Sequence, residues 1–303
     1  MTTASSLTSW HDEYLTSSQI IEVGAVMESV SVGDGVRIAY ERCGAGRPVA
    51  LVGGTGMPPV AWELCGLRGA LVDAGFEVVT YAARGVAPSD APPAPYTVEA
   101  LAADLAGLLD ALQLTAVTVI GYSLGSFTTE LLARTRPDLV RAAVLLAGAG
   151  PLTAALDAFL QAGSELASAT GRVPPAFTKL QTLLTSLPPE VLRDDEEQVR
   201  TWLELLDAQE SVWASAEGAT GQWAASGRWV RDGRRMSALA DIHQPVLVAA
   251  FEHDLYFPPR SGKAAVEVLP RGEFVAVSGA AHAGLLTHPK ETTEALLGFL
   301  ART

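Results

Sequence analysis

The chain has 303 residues, 49% hydrophobic and 18% charged, enough apolar side chain to fill a large core in one domain or a domain with an insertion. A net charge of −13 with no Lys/Arg patch argues against a nucleic-acid partner, because phosphate binding needs a cationic footprint, so the acidity is assigned to solubility. Cys43 and Cys65 form no CxxC pair and no Cys/His cluster, so neither a disulfide framework nor a zinc site is expected, and both read as small buried hydrophobes.

Residues 1–24 are Ser/Thr-rich, lack apolar periodicity and read as an N-terminal arm. They have no basic start followed by an apolar run, and no uncharged apolar stretch in the chain reaches membrane-spanning length. The expectation is a cytoplasmic protein with no membrane association. From Ala25 the pattern turns to strands: "AVMESVSV" (25–32) and "VRIAYERC" (36–43) alternate around Gly33-Asp34-Gly35, a hairpin signal. "PVALVGG" (48–54) is a solidly apolar strand, and "AWELCGLRGALVDAG" (61–75) reads as one helix closed by Gly75. "FEVVTYAA" (76–83) is a buried strand, followed by the Pro-rich loop 84–95. In 97–114, Leu101, Leu105, Leu108, Leu109 and Leu112 repeat at helical spacing behind Thr97, an N-cap candidate. Strand 115–121 leads into a helix stopped by Pro137, and 140–148 is again a strand. Further on, 245–254 and 273–279 read as strands with helix 261–269 between them, and 291–301 is a closing helix.

Apolar strands alternating with amphipathic helices imply an α/β fold, a doubly wound and mostly parallel sheet with helices on both faces after an antiparallel start. The alternation fails between about Pro151 and Asp241, which holds no convincing strand and contains Trp202, Trp213, Trp223 and Trp229. The division expected is therefore a core of 25–150 and 241–303 with a helical insertion at 151–240.

Sites in open α/β sheets lie outside the carboxyl ends of the strands, and here those ends carry reactive residues. Gly121-Tyr122-Ser123-Leu124-Gly125 is a G-x-S-x-G run between strand and helix, the setting of a nucleophile elbow. Its turn strains the serine backbone, and side chains two residues to either side would clash. Serine needs an imidazole to take its proton and a carboxylate to orient the imidazole. Asp254 in "FEHD" and His282 in "SGAAHAG" follow later strands, in the chain order Ser, Asp, His that this architecture uses. The rivals are Glu252 and His253 beside Asp254, and His243, His288 and His11 in place of His282. An acyl-transfer site also needs N–H donors aimed at the oxyanion. Leu124, just after the serine, offers one, and the turn in "VGGTGMPP" offers the other at Thr55, with Gly56 the alternative. A phosphate loop is disfavoured there, since G-x-G-x-x-G is not completed and no Gly-Lys-Ser/Thr occurs.

On "LVGGTG", "RGVAPSD", "GYSLG", "FEHD" and "GAAHAG" the chain resembles the α/β-hydrolase family, from about Val26 to the C-terminus apart from the insertion. The resemblance is closest to the capped serine-hydrolase branch of esterases, lactonases, C–C hydrolases and cofactor-free haloperoxidases. It implies an eight-stranded sheet, Ser123 as nucleophile with Asp254 and His282 as its partners, and 151–240 as a cap. Two departures stand out: Gly53-Gly54 replaces the usual His-Gly, and Ala82-Ala83-Arg84-Gly85-Val86-Ala87 lacks the aspartate usual two residues before the arginine. Ser123 disfavours the aspartate-nucleophile subfamilies, and Leu124 departs from the tryptophan usual in proline iminopeptidases.

The leading expectation is hydrolysis of an ester, lactone or thioester with an apolar acyl group, by a monomer or homodimer needing no cofactor and no metal. Neutral imidazole is required, so activity should rise as pH passes roughly 6–7. Tyr122, Met57, Trp202, Trp213 and Trp223 are candidate pocket residues, the alternative for the tryptophans being the cap's own core. A non-hydrolytic cyclase, lyase or acyl transferase, or a ligand receptor on the same fold, are the other readings.

Overall fold

The computed structural model describes residues 27–208 and 212–303; the expected arm, 1–24, and His11 lie outside the described residues. Strands β1 (Glu28–Val32) and β2 (Val36–Gly44) form the expected hairpin, with Val32 opposite Val36. There follow β3 (Arg47–Val52), the short helices α1 (Ala61–Leu64) and α2 (Leu67–Asp73), β4 (Phe76–Tyr81), α3 (Val98–Ala111), β5 (Val117–Tyr122), α4 (Leu124–Thr135) and β6 (Val140–Leu146). After β6, over the stretch expected to be an insertion, come α5 (Ala154–Thr170), α6 (Pro175–Ser186), α7 (Pro189–Asp194), α8 (Glu196–Ala208), α9 (Ala216–Val230) and α10 (Arg235–Ala238). The chain returns through β7 (Val246–Phe251), α11 (Pro259–Val266), β8 (Gly272–Val277), α12 (Gly284–Thr287) and α13 (Pro289–Leu300). The single helix expected over 61–75 is split at Gly66, whose φ of +71° is left-handed backbone that no helix interior can hold.

The eight strands lie in the order β1-β2-β4-β3-β5-β6-β7-β8, parallel except where β2 meets β1 and β4. Alternate residues of the buried strands point to opposite faces. Val117, Val119, Ala143, Leu145, Val246 and Val248 join Leu105, Leu108 and Leu109 of α3 and Leu132 of α4 on one side. Ile120, Val144, Leu146, Leu247, Ala249 and Phe251 meet Trp62, Leu67, Leu71 and α13's Leu296 and Phe299 on the other. Both faces being covered explains why these strands read as unbroken apolar runs. Thr97 caps α3, its hydroxyl accepting the Ala100 N–H at 3.2 Å.

Between β6 and β7 the described residues hold helices and no strand, apart from one bridge of Trp213 to Val86. A third apolar cluster joins the insertion to the core: Leu156 of α5 and Ala225, Trp229 and Val230 of α9 pack with Val98 and Leu101 of α3 and Leu124, Phe127 and Leu131 of α4. A buried ion pair ties its two ends together. Arg235, 3% exposed, contacts Glu130 of α4 at 3.0 Å and donates to the carbonyls of Gly148 (2.7 Å) and Gly150 (2.8 Å), just beyond β6.

Candidate active site

Strand β5 lies in the middle of the sheet, and the chain turns from it directly into α4 at Ser123. The serine has φ +53° and ψ −115°, a conformation that costs a non-glycine residue of order 1–3 kcal/mol and persists only where its surroundings enforce it. They do so through close approach of backbone. A Cβ at Gly121 would overlap the Gly125 carbonyl oxygen and the Thr129 hydroxyl, and one at Gly125 would overlap the Val52 carbonyl oxygen. Both glycines are therefore required on steric grounds, and Gly125 seats the elbow directly on the end of β3. The Ser123 N–H donates to Leu146 O at 2.9 Å, and the Ser126 hydroxyl is shared between Gly121 O and Leu146 O, at 2.7 and 2.8 Å from Oγ. Ser123 itself is half-buried.

Asp254 follows β7, and His282 lies in the loop after β8; the fold brings both to Ser123. His282 Nε2 is 3.1 Å from Ser123 Oγ, and His282 Nδ1 is 2.8 Å from Asp254 Oδ2. Asp254 is 2% exposed, and its Oδ1 accepts the N–H of Tyr256 (2.7 Å) and of Phe257 (3.0 Å). A carboxylate only accepts, so Nδ1 carries the proton and Nε2 is left to accept from the serine hydroxyl. Of the rivals, Glu252 accepts the Gly279 N–H, and His288 bonds Thr287 Oγ1 at 2.9 Å with its pKa lowered by burial.

The imidazole is caged by rings and held at its backbone. Tyr256 meets it edge-on with centroids 4.9 Å apart, and Tyr122 and Phe257 lie at 5.6 and 6.5 Å. Tyr122 Oη donates to His282 O at 2.8 Å; burial pushes that phenol up, so it stays a protonated donor. From the insertion, Thr185 O and Ser186 O at the end of α6 accept the N–H groups of His282 (3.1 Å) and Ala283 (3.4 Å). Gln181 on the same helix donates to Tyr256 Oη at 2.8 Å.

On the other side of Ser123 lies the turn Gly54–Met57, closed by Met57 N–H to Gly54 O at 3.1 Å. Gly54 packs on the elbow: a Cβ there would sit 3.3 Å from Ser123 Cβ. The N–H groups of Leu124 and Thr55 have no hydrogen-bond partner among the described residues. The alternative donor, Gly56, is committed: its N–H donates to Gln222 Oε1 at 2.9 Å. Of the expected pocket residues, Tyr122 lies beside His282, Met57 packs against Gly53, and the Trp213 ring lies on Gly56. Trp223 is 39% exposed on α9, and Trp202 is a half-buried residue of α8 with an unpaired indole N–H. Trp229 belongs to the third apolar cluster, where it packs with residues of α3 and α4.

The carboxylate missing at position 82 is supplied from elsewhere. Asp104 of α3 takes Arg84 in a buried two-point pair, 2.5 and 2.6 Å, beneath the loop that meets α9. Sequence reading passed over Asp104, Gln222, Tyr256 and Thr185. Only Tyr256 carried a local signal, two residues beyond Asp254.

Sheet order, elbow and strand-end residues define a protein of the α/β-hydrolase class. A family model described as alpha/beta hydrolase fold matches residues 51–289, well over half the chain, and the protein belongs to that family. BpoC of Mycobacterium tuberculosis, whose name proposes a non-heme bromoperoxidase, is 29% identical over 268 residues, covering 88% of this chain and 98% of that protein. Its crystal structure aligns with a TM-score of 0.77 at 28% identity, over 88% of this chain and 96% of that one. The non-heme chloroperoxidase of Streptomyces lividans is 26% identical over 304 residues, 90% of this chain and 99% of that protein. A thermophilic esterase from Thermogutta terrifontis aligns with a TM-score of 0.75 over 92% of this chain and 99% of that one; at 23% identity this is a likeness of fold alone. Among the described residues, no helix is long and apolar enough to cross a membrane.

Proposed function

We propose that the protein is a serine hydrolase that cleaves an ester, lactone or thioester through an acyl-enzyme on Ser123. The observation that carries this reading is the relay of Ser123 Oγ, His282 and Asp254 at 3.1 and 2.8 Å, built on a serine with strained backbone. Ser123 Oγ attacks the carbonyl carbon while its proton passes to His282 Nε2, and Asp254 stabilises the imidazolium. The tetrahedral oxyanion takes hydrogen bonds from the N–H groups of Leu124 and Thr55, the first of them in the opening turn of α4, where the helix dipole adds to the attraction. Collapse breaks the bond to the leaving alkoxide or thiolate, which takes the proton from Nε2. Water repeats the sequence on the acyl-enzyme, giving the acid and free serine. Residues 151–240 serve as the cap, supported by the carbonyls of Thr185 and Ser186 on the histidine loop and by Trp213 on Gly56.

The test is a panel of p-nitrophenyl esters and lactones of graded size, with fluorophosphonate labelling and Ser123→Ala as control. Turnover and covalent labelling are expected in the wild type, with both lost in the variant; unchanged turnover after Ser123→Ala ends the reading. A second reading follows from the relatives' names. An acyl-enzyme open to water is also open to hydrogen peroxide, whose attack releases a peracid able to oxidise halide. Bromination of a phenol dye in the presence of acetate, peroxide and bromide, lost in Ser123→Ala, is the expected outcome of that chemistry.

A further inference from the structure

We infer that Gln222 of α9 is the positioning residue of the oxyanion loop: its carboxamide fixes the Gly54–Met57 turn that aims the Thr55 N–H at the reacting carbonyl. The inference rests on the serine-hydrolase reading above and deepens it.

Gln222 is completely buried, so its carboxamide needs partners at both ends. Oε1 accepts the Gly56 N–H at 2.9 Å, and Nε2 donates to Arg84 O at 2.9 Å. These partners assign the amide, since a flipped group would set donor against donor and oxygen against oxygen. The turn it grips has Gly54 O bonded to Met57 N–H and Gly56 at φ +66°, the pattern of a type II turn. Two peptide planes flank Thr55. The first holds both Gly54 O and the Thr55 N–H, and the turn's own hydrogen bond fixes it. The second, between Thr55 and Gly56, is the plane that rotates when a type II turn becomes type I, and Gln222 fixes that one. With both planes held, the backbone of Thr55 has a single setting.

The loop has little of its own to achieve this, because Gly53, Gly54 and Gly56 carry no side chains. The anchor at the far end of Gln222 is firm, since Arg84 is locked by Asp104. One helical turn beyond Gln222, Ser226 Oγ lies 3.5 Å from Thr55 Oγ1, so α9 addresses the loop twice from one face. Close packing holds α9 in place: a Cβ at Gly218 would overlap the Gly85 carbonyl, and one at Gly221 would overlap the Tyr96 ring. An oxyanion donor stabilises a transition state in proportion to how well it is aimed beforehand, so a residue that sets its direction acts on kcat without touching substrate.

Two variants test this. Gln222→Met keeps length and packing and removes both hydrogen bonds; Gln222→Glu keeps an acceptor for Gly56 but buries a carboxylate. With p-nitrophenyl butyrate, and constants expressed per folded molecule by near-ultraviolet circular dichroism, Gln222→Met is expected to lose about 10²-fold in kcat with KM within about threefold. Its affinity for phenylboronic acid, which forms a tetrahedral adduct on the serine, should fall alongside. Gln222→Glu should keep more kcat than Gln222→Met while melting at the lowest temperature of the three proteins. Activity that follows melting temperature overturns the inference, because a merely structural residue would behave so. Should Gln222→Glu not fold, Gln222→Met decides: kcat within twofold of wild type, or a loss confined to KM, overturns it. Wild-type protein that resists fluorophosphonate overturns the serine-hydrolase reading and this one together. Labelled wild type beside unaffected Gln222 variants overturns this inference alone.

Discussion

Replacing Asp254 by asparagine probes the relay through a feature of the surrounding backbone. The two oxygens of Asp254 do different work: Oδ1 accepts the N–H groups of Tyr256 and Phe257 at 2.7 and 3.0 Å, while Oδ2 faces His282 Nδ1 at 2.8 Å. An asparagine has one oxygen to offer, and two backbone donors at Oδ1 compel it to sit there, leaving its NH2 against the imidazole. That donor requires Nδ1 to be unprotonated, so the proton moves to Nε2 and points at Ser123 Oγ. The histidine then cannot accept the serine's proton, although every heavy atom stays in place. The wrong tautomer in a serine triad costs about 10⁴-fold in kcat, or about 5 kcal/mol of transition-state stabilisation. The Tyr256 and Phe257 bonds survive, so the fold should too. Steady-state kinetics on p-nitrophenyl butyrate, with a thermal melt of the same preparation, reads both. A loss of less than tenfold in kcat with an unchanged melt refutes the argument and removes Asp254 from the relay.

Other variants test the packing and the charges. Gly125→Ala drives a methyl group into the Val52 carbonyl and should lose at least about 1–3 kcal/mol in urea denaturation. Gly163→Ala, inside α5 with nothing nearer than 4.0 Å to the new methyl, should gain about 0.5–1 kcal/mol in the same assay. Arg235→Met strands Glu130 and two carbonyls in the interior and should cost about 3–5 kcal/mol, again by urea titration. His288 has its pKa lowered by burial, so the unfolded chain takes the proton first as pH falls. Its penalty is absent above the ordinary histidine range, grows as pH falls through that range, and levels off below the lowered folded value. Urea denaturation from pH 7.5 to 5 should show a steeper loss of stability in wild type than in His288→Gln, and equal slopes would exclude His288 as a source.

Ser123, Asp254 and His282 were legible because each stands where a buried apolar run stops, and the chemistry of an activated serine prescribes which residue types must follow. Thr97 and Gly75 were legible for a similar reason, as each satisfies a local backbone need. The break at Gly66 was not, because a glycine inside a periodic stretch reads equally as tolerated or as a stop until its φ is known. The tryptophans of 151–240 could not be told apart: one type of residue joins an apolar cluster at Trp229, lies on the Gly54–Met57 turn at Trp213 and stands 39% exposed on a helix at Trp223. Nothing periodic separates these uses, because each is decided by what packs opposite.

The two departures from the family's motifs, at Gly53 and Ala82, make sense as one change rather than two. Both lie on loops that meet at Gln222, the first through Gly56 and the second through Arg84. On the Ala82 side, the carboxylate for Arg84 comes from a helix, as Asp104 of α3. On the Gly53 side, the hold on the loop comes from a helix as well, as Gln222 of α9. In each case a group absent from the short motif is supplied by a helix distant in sequence, where no local pattern could announce it. The glycines of α9 are the visible trace of that transfer. Gly218 and Gly221 look like poor helix formers in "AEGATGQWAASGRWV", yet without them α9 could not approach Gly85 and Tyr96 closely enough for Gln222 to reach both loops. A methyl group at Gly218 should therefore push α9 away and reproduce in kcat, through the backbone, what Gln222→Met does through the side chain. If Gly218→Ala instead left kcat intact while lowering stability, the link between helix packing and the oxyanion loop would be broken.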